Sequence, residues 1–332
     1  MRILVTGGAG FIGSNYVRKV LGEHPEDSVV SFDKLTYAGN LENLADLEGD
    51  PRYSFVRGDI CDEGAVEEVM GEVDAVVNFA AETHVDRSIH DAGAFVDTDV
   101  KGIYVVLDAA RTNGIEQFLH VSTDEVYGSI EVGSFKETDP LCPSSPYSAS
   151  KAGGELMAKA FERTFGYRIL ITRGSNTYGP NQYPEKVIPL FVTNAIDGVE
   201  LPLYGDGMNV RDWLYVEDHC AGIDVVLRHG TPGEVYNIGA GEERTNLEVT
   251  RGIIQLAGKG EELIRYVRDR PGHDLRYSID SGKARALGWT PRTGFGEGLE
   301  RTFAWYREHE QWWRRLKDGS YQEYYRQLYG NR

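Results

Sequence analysis

Cysteine is scarce in this chain. Its 332 residues hold three, Cys61, Cys142 and Cys220, which are far apart and form no Cys-x-x-Cys pair. Neither a disulfide framework nor a zinc knuckle is indicated. No metal is expected, and the pattern fits a reducing cytoplasm. Long apolar runs are missing too. None approaches the roughly 18 residues needed to cross a bilayer, so no membrane association is expected. Glycines and Asn15 break the first apolar stretch too early for a secretory leader. Repeats and low-complexity tracts are absent. Positive charge is in deficit: 35 Lys and Arg against 52 Asp and Glu give a formal charge of −17. A general nucleic-acid binder needs basic surface to neutralise phosphates, so none is expected. A small phosphate-bearing ligand stays open, because a few local donors suffice.

What the chain does have is material for a core. Hydrophobic residues make up 41% and charged residues 26%, ordinary values for a globular protein. The length suggests about two domains. Short apolar strands are expected at Ile3–Val5, Val29–Phe32, Tyr53–Val56, Val73–Phe79, Phe118–Ser122 and Ile169–Thr172. Helical patterns fall after the first strand and near 63–70, 94–112 and 147–165. This alternation predicts an α/β fold, a doubly wound parallel sheet covered on both faces. Beyond about residue 175, Pro180, Pro184, Pro189 and Pro202 break the pattern, and a smaller C-terminal domain is expected. The proposed division is 1–175, with a return segment near 212–238, and 176–332. The tail is rich in aromatics (Trp305, Tyr306, Trp312, Trp313, Tyr321, Tyr324, Tyr325, Tyr329), for which core or lid packing is the first reading and a partner-binding surface the alternative.

The first strand runs straight into Gly7-Gly8-Ala9-Gly10-Phe11-Ile12-Gly13 and a helix. Glycines there let the backbone approach a pyrophosphate, and the helix N-terminus offers free N–H groups. Asp33, twenty residues past Gly13, ends the second strand. A carboxylate there accepts ribose hydroxyls and repels a 2′-phosphate, favouring NAD over NADP, although the adjacent Lys34 offers an offsetting charge.

Tyr147 and Lys151 stand four residues apart in a helical pattern, so they share a face. An ammonium near a phenol lowers the phenol's pKa, making Tyr147 a general base. Ser122-Thr123-Asp124-Glu125 follows the fifth strand, where ligands bind in such sheets. Two adjacent carboxyls in a partly dry site do not both ionise easily, so one acid and one base are offered together. Elimination of water needs that pair.

Together these stretches resemble the dTDP-glucose 4,6-dehydratases of the extended short-chain dehydrogenase/reductase superfamily, with its Rossmann-type fold. The resemblance spans nearly all of 1–315, carried by TGGAGFIGS (6–14), FDKLTYAGN (32–40), GDI (58–60), NFAAETHVDRSI (78–89), VSTDEVYG (121–128), SPYSASKA (145–152), NTYGPNQYPEKVIP (176–189), LPLYGDGMNVRDW (201–213) and DRPGHDLRYSID (269–280). The Thr-Asp-Glu triplet discriminates: related epimerases and decarboxylases carry other residues at 124 and 125, and GDP-mannose dehydratases usually lack the aspartate. The resemblance implies NAD as cofactor and three steps. Tyr147 takes the sugar's 4-hydroxyl proton, with Thr123 on the same oxygen, while hydride passes to NAD. Glu125 removes the C5 proton and Asp124 protonates the departing C6 hydroxyl. The hydride then returns to C6.

The resemblance also implies cofactor contacts from Gly7, Gly10, Phe11, Ile12, Gly13, Asp33, Lys34, Leu35, Thr36, Asp59, Ile60, Ala80, Ala81, Thr83, Thr98, Tyr147 and Lys151. For a sugar nucleotide it implies His84, Thr123, Asn176, Lys186, Val187, Pro202, Leu203, Tyr204, Arg211, Asn246, Asp269, Arg270 and His273. Lys186, Arg211 and Arg270 fit a diphosphate clamp. Thr177, Thr83 and Arg173-Gly174 depart from the family's usual residues. A homodimer through the helices near 94–112 and 147–165 is implied as well. Two rival readings are a 4-epimerase or decarboxylase, which loses no water to a 6-deoxy product, and a non-catalytic NAD-binding scaffold.

Overall fold

A computed structural model describes residues 1–329; residues 330–332, the end of the expected second domain, lie outside it. The described residues form twelve strands: β1 (Arg2–Thr6), β2 (Ser28–Asp33), β3 (Tyr53–Arg57), β4 (Ala75–Asn78), β5 (Gln117–Thr123), β6 (Leu170–Gly174), β7 (Asn176–Tyr178), β8 (Leu201–Tyr204), β9 (Val210–Tyr215), β10 (Val235–Ile238), β11 (Glu243–Thr245) and β12 (Ile264–Val267). Seven form one parallel sheet in the order β3-β2-β1-β4-β5-β6-β10. The order reverses between β1 and β4, so a crevice opens beyond their carboxyl ends. The fold is the doubly wound α/β class that the strand–helix alternation predicts.

Neighbouring residues on each strand serve opposite faces. Ile3, Val5, Val77 and Leu119 pack with the helices Phe11–Glu23 and Val216–His229. Leu4, Val76 and Phe118 pack with the helices Glu63–Met70, Ile103–Thr112 and Pro146–Phe165. Burial on both faces explains the continuous apolar reading of these strands.

A second core gathers Ile188, Phe191, Leu203, Trp213, Tyr215, Phe303, Tyr306, Trp313, Tyr321 and Tyr329. The aromatic tail forms much of it, in three helices, Phe295–Glu308, Glu310–Leu316 and Gly319–Tyr329. Each such side chain, fully buried, contributes about 1.5–3 kcal/mol. Residues 210–215 do not join the large sheet. β9 pairs with β7 and β11 instead, and its alternation divides it between the cores: Leu214 faces the sheet core, Trp213 and Tyr215 the second core. The following helix and β10 then complete the large sheet's edge.

One helix differs from its expected form. Residues 94–112 are a short α-turn, a π-turn at Asp97–Gly102 and an α-helix. The wider turn sets Asp99 against Ser150 Oγ (2.6 Å) and the Glu82 amide (3.1 Å), a local rearrangement typical of π-turns near sites.

Candidate active site

The β1–β4 crevice is lined first by the glycine loop. Gly7 has φ +68°, and a Cβ there would stand 2.7 Å from the Ala80 amide nitrogen. Only glycine permits that approach. Gly10 leads into the helix without any side-chain cap, so the first amides stay available to an anion.

Asp33 is buried at the end of β2 and accepts the amides of Ala9 (3.0 Å) and Leu35 (2.8 Å). Leu35 reaches this geometry with φ +57° and packs into the sheet core rather than lining the cleft. Lys34 does not offset Asp33. Its ammonium turns to Asp59 at 2.6 Å, and that bond holds it above its usual pKa. The remaining expected cofactor residues, Phe11, Ile12, Gly13, Thr36, Ile60, Ala80, Ala81, Thr83 and Thr98, line the same cleft.

The helix Pro146–Phe165 starts from a Ser145/Ser148 capping box with proline in its first turn. This fixes Tyr147 and Lys151 beneath the end of β5. Lys151 Nζ donates to the Val121 carbonyl at 2.9 Å, and the expected lowering of the Tyr147 pKa is corrected. The Tyr147 phenol is held well above 10, not below it, by burial and then by the charges of Glu125 and Asp99. A hydrogen bond from Thr123 pulls the other way. Burial likewise lowers the Lys151 pKa, with Asp99 and Glu155 opposing.

Thr123 caps the 3-10 turn Asp124–Tyr127 through the Glu125 amide (3.3 Å), and its hydroxyl lies 3.3 Å from Asp124 Oδ1. Asp124 is 3% exposed. Burial, then the charges of Glu125 and Asp212, push its carboxyl far above the usual range. That favours its protonated form, beside a more exposed Glu125.

Among the sugar-nucleotide residues, Thr123, Asn176, Lys186 and Val187 line this cleft. The others do not, and they divide in two. Leu203 is sealed in the second core, beside Pro202 on β8; Asn246 begins a helix, its amide on the Asn209 carbonyl. His84, Tyr204, Arg211, Asp269, Arg270 and His273 form an adjacent rim. Tyr204 bonds Asp86 (3.3 Å) and faces the His273 ring; Asp269 holds His273 Nδ1 (2.6 Å) and the Arg270 amide (2.8 Å). His84 meets the Tyr324 hydroxyl at 3.1 Å. Burial and then Lys186 lower its pKa to about 3. Arg211 is 4% exposed and held by the carbonyls of Val210 (2.7 Å) and Asp274 (2.9 Å). The Arg270 charge reaches Lys186, Arg211 and His273, so the three basic residues share one field.

Sequence reasoning missed several cleft residues: Tyr37, Glu82, Gln182, Tyr183, Glu185, Trp213 and His219. Arg87 bonds Glu185 (2.9 Å) and stacks on Tyr37 and Tyr324, a link across 98 residues with no local signature. His219 had a signal, an isolated histidine in an apolar helix stripe. It meets Thr177 Oγ1 at 2.7 Å. Ser122 Oγ, Asp124 Oδ2, Asn176 Oδ1, Gln182 Oε1, Trp213 Nε1 and His219 Nε2 are buried cleft atoms without a protein partner. Such atoms are rare in a finished fold and suit a polar ligand. Among the described residues no cluster of three His, Cys, Asp or Glu side chains is placed to hold a metal ion.

A doubly wound sheet with a glycine cradle at its switch point, and a Thr, Tyr and Lys at the end of β5, defines the extended short-chain dehydrogenase/reductase class. The chain matches the GDP-mannose 4,6 dehydratase family over residues 4–302 and belongs to it. It is 54% identical over 323 residues to the dTDP-glucose 4,6-dehydratase of Streptomyces antibioticus, covering 96% of each chain. Its fold superposes on DesIV, a dTDP-glucose 4,6-dehydratase of Streptomyces venezuelae solved with NAD bound, with TM-score 0.94 and 54% identity over 96% of this chain and all of that one. A UDP-glucose 4-epimerase of Thermus thermophilus, also solved with NAD, is more distant: TM-score 0.86 and 33% identity, over 93% and 100%.

Proposed function

We propose that the protein converts dTDP-glucose to dTDP-4-keto-6-deoxyglucose and water, with NAD as a recycled cofactor. The observation that carries this reading is the pair at the end of β5. A buried carboxyl, whose protonated form burial favours, sits beside a second, more exposed carboxyl, next to a Thr–Tyr couple in one cleft. An epimerase needs only the Thr–Tyr couple; elimination of water needs the acid and the base too.

The cleft fits NAD by its own atoms. The uncapped helix start would take the pyrophosphate, and Asp33, with Lys34 bound elsewhere, would take ribose hydroxyls. Gly7, Gly10, Phe11, Ile12, Gly13, Thr36, Asp59, Ile60, Ala80, Ala81, Thr83 and Thr98 form the walls. When bound, NAD supplies reversible hydride acceptance and a positively charged ring. The chain's own groups do the proton work. Burial keeps the free Tyr147 phenol protonated, so it would first release that proton to solvent as the bound cofactor's positive ring offsets the burial; it then takes the 4-hydroxyl proton, and Thr123 holds it in line. Glu125 removes the C5 proton, acidified by the adjacent ketone. Asp124 gives its proton to the C6 hydroxyl, which leaves as water.

Division of labour follows the two cores. Residues 1–175 with the return segment near 212–238 hold the cofactor. The rest, through Lys186, Arg211 and Arg270, holds the diphosphate. A homodimer is part of the reading. Ile89, Val96, Tyr104 and Leu156 lie 40–58% exposed on the helices of 85–112 and 146–165, apolar side chains that a second copy would cover. Light scattering giving 37.0 kDa rather than twice that mass would overturn the dimer. A cytoplasmic location is consistent with three free thiols. No helix among the described residues is long and apolar enough to cross a membrane.

The decisive assay incubates purified protein with dTDP-glucose and follows the alkaline absorbance of a 4-keto sugar. Absence of product refutes the proposal; a product inverted at C4 that keeps its 6-hydroxyl assigns an epimerase instead.

A further inference from the structure

Behind Glu125 runs a chain of polar atoms that the three chemical steps do not use. The Tyr277 hydroxyl lies 3.5 Å from Glu125 Oε2 and 2.7 Å from Asp274 Oδ2. The other oxygen of that carboxylate, Oδ1, accepts the Ser144 hydroxyl at 2.8 Å. Tyr277 is 3% exposed and Asp274 9%, whereas Ser144 is exposed. The chain thus leads from the base in the cleft, through two buried groups, to water.

Its parts are held firmly. The Arg211 guanidinium covers the Tyr277 ring at 4.2 Å, and the Tyr277 amide bonds the Val210 carbonyl. Gly272, at φ +63°, backs the loop before Tyr277 so tightly onto Ser144 that a Cβ would stand 2.9 Å from the Ser144 carbonyl. Burial, then the Glu125 charge, keep the phenol protonated. A neutral hydroxyl of this kind passes protons by accepting one on oxygen while donating its own. The 3.5 Å gap is long for a hydrogen bond, as proton-transfer contacts often are before substrate closes the site.

The geometry points to Glu125–Tyr277–Asp274 as a proton relay that lets the catalytic base exchange its proton with solvent while the sugar fills the cleft. This rests on the role of Glu125 proposed above. After C5 abstraction Glu125 carries the proton. Its O–H bond breaks as the Tyr277 oxygen gains that proton. The Tyr277 proton passes to Asp274 Oδ2, and Asp274 releases it to water beside Ser144. Glu125 is a carboxylate again, one proton has reached solvent, and the reverse run supplies the proton that C5 regains.

The test is single turnover, in ordinary water, of dTDP-glucose deuterated at C5, with the isotope read in the product by mass spectrometry. The parent enzyme should lose the deuteron to water. Y277F should form product and keep the label at C5, because the trapped deuteron is handed back. D274N, which leaves the tyrosine in place, should also keep it. Equal label loss in parent and both variants overturns the relay, and so does retention by the parent. Absence of any 4-keto product from the parent condemns the dehydratase reading instead.

Discussion

Arg173 and Arg211 are both sealed from solvent, but in opposite company. Arg173, on β6, is wholly buried and grips Glu155 of the Tyr147 helix at 2.6 and 3.0 Å. It also donates to the Tyr127 hydroxyl (2.5 Å) and the Glu137 carbonyl (3.3 Å). Every charge there has its opposite, and the group ties β6, the catalytic helix and the Asp124–Tyr127 turn together. Arg211, on β9, has only main-chain carbonyls and the face of Tyr277. Among the described residues no carboxylate lies within ion-pair distance of it. A buried cation with its counter-ion is framework; one satisfied by neutral carbonyls keeps its charge for an incoming anion. Glu82 shows a third solution. This half-buried cleft carboxyl is raised to about 7 by burial and then by Asp99, so a proton offsets part of its charge near neutral pH.

The largest effect expected from this contrast is on stability. R173M strands Glu155 in the interior and should cost about 3–5 kcal/mol. The double variant R173M/E155L should recover most of that, read from denaturant midpoints. A single variant as stable as the parent would erase the distinction between the two arginines. R211M should reverse the pattern. Its stability should stay within about 1 kcal/mol of the parent, while KM for dTDP-glucose rises about 10- to 100-fold, the worth of a hydrogen bond to a charged group. Steady-state kinetics beside a melt would show it, and an unchanged KM would remove Arg211 from the clamp.

The smallest effect concerns Glu82. A carboxyl whose pKa is raised on folding, from 4.5 to about 7, binds its proton more tightly in the folded state. Its contribution is therefore full below about pH 4.5 and is lost as pH climbs through 7. E82Q should flatten that slope, gaining about 1 kcal/mol on the parent at pH 8 relative to pH 4 after allowance for partial exposure. Parallel melts of the two proteins across that range measure it.

The large sheet could be read from the chain because strands buried on both faces write themselves as apolar runs, and the glycine loop sits where a strand must turn into a helix. The positions of Thr123, Asp124, Glu125, Tyr147 and Lys151 followed from that frame. What Lys151 does with its ammonium did not, because the Val121 carbonyl that holds it belongs to β5, 30 residues earlier in the chain. Lys34 likewise had to be seen turning to Asp59 rather than to its neighbour Asp33. The π-turn at Asp97–Gly102 has helix-forming residues on both sides, so local preference masks it. The rim residues around Arg211 and His273 come from separate short elements and carry no periodicity that would join them.

β9 gives alternate side chains to two interiors: Leu214 to one, Trp213 and Tyr215 to the other. One layer cannot loosen without pulling that strand out of the other, so the lobes that enclose the cleft have no independent existence on heating. The chain should melt in one cooperative event, with equal calorimetric and van't Hoff enthalpies. A half-molecule cut between the lobes would carry an exposed seam where β9 had been.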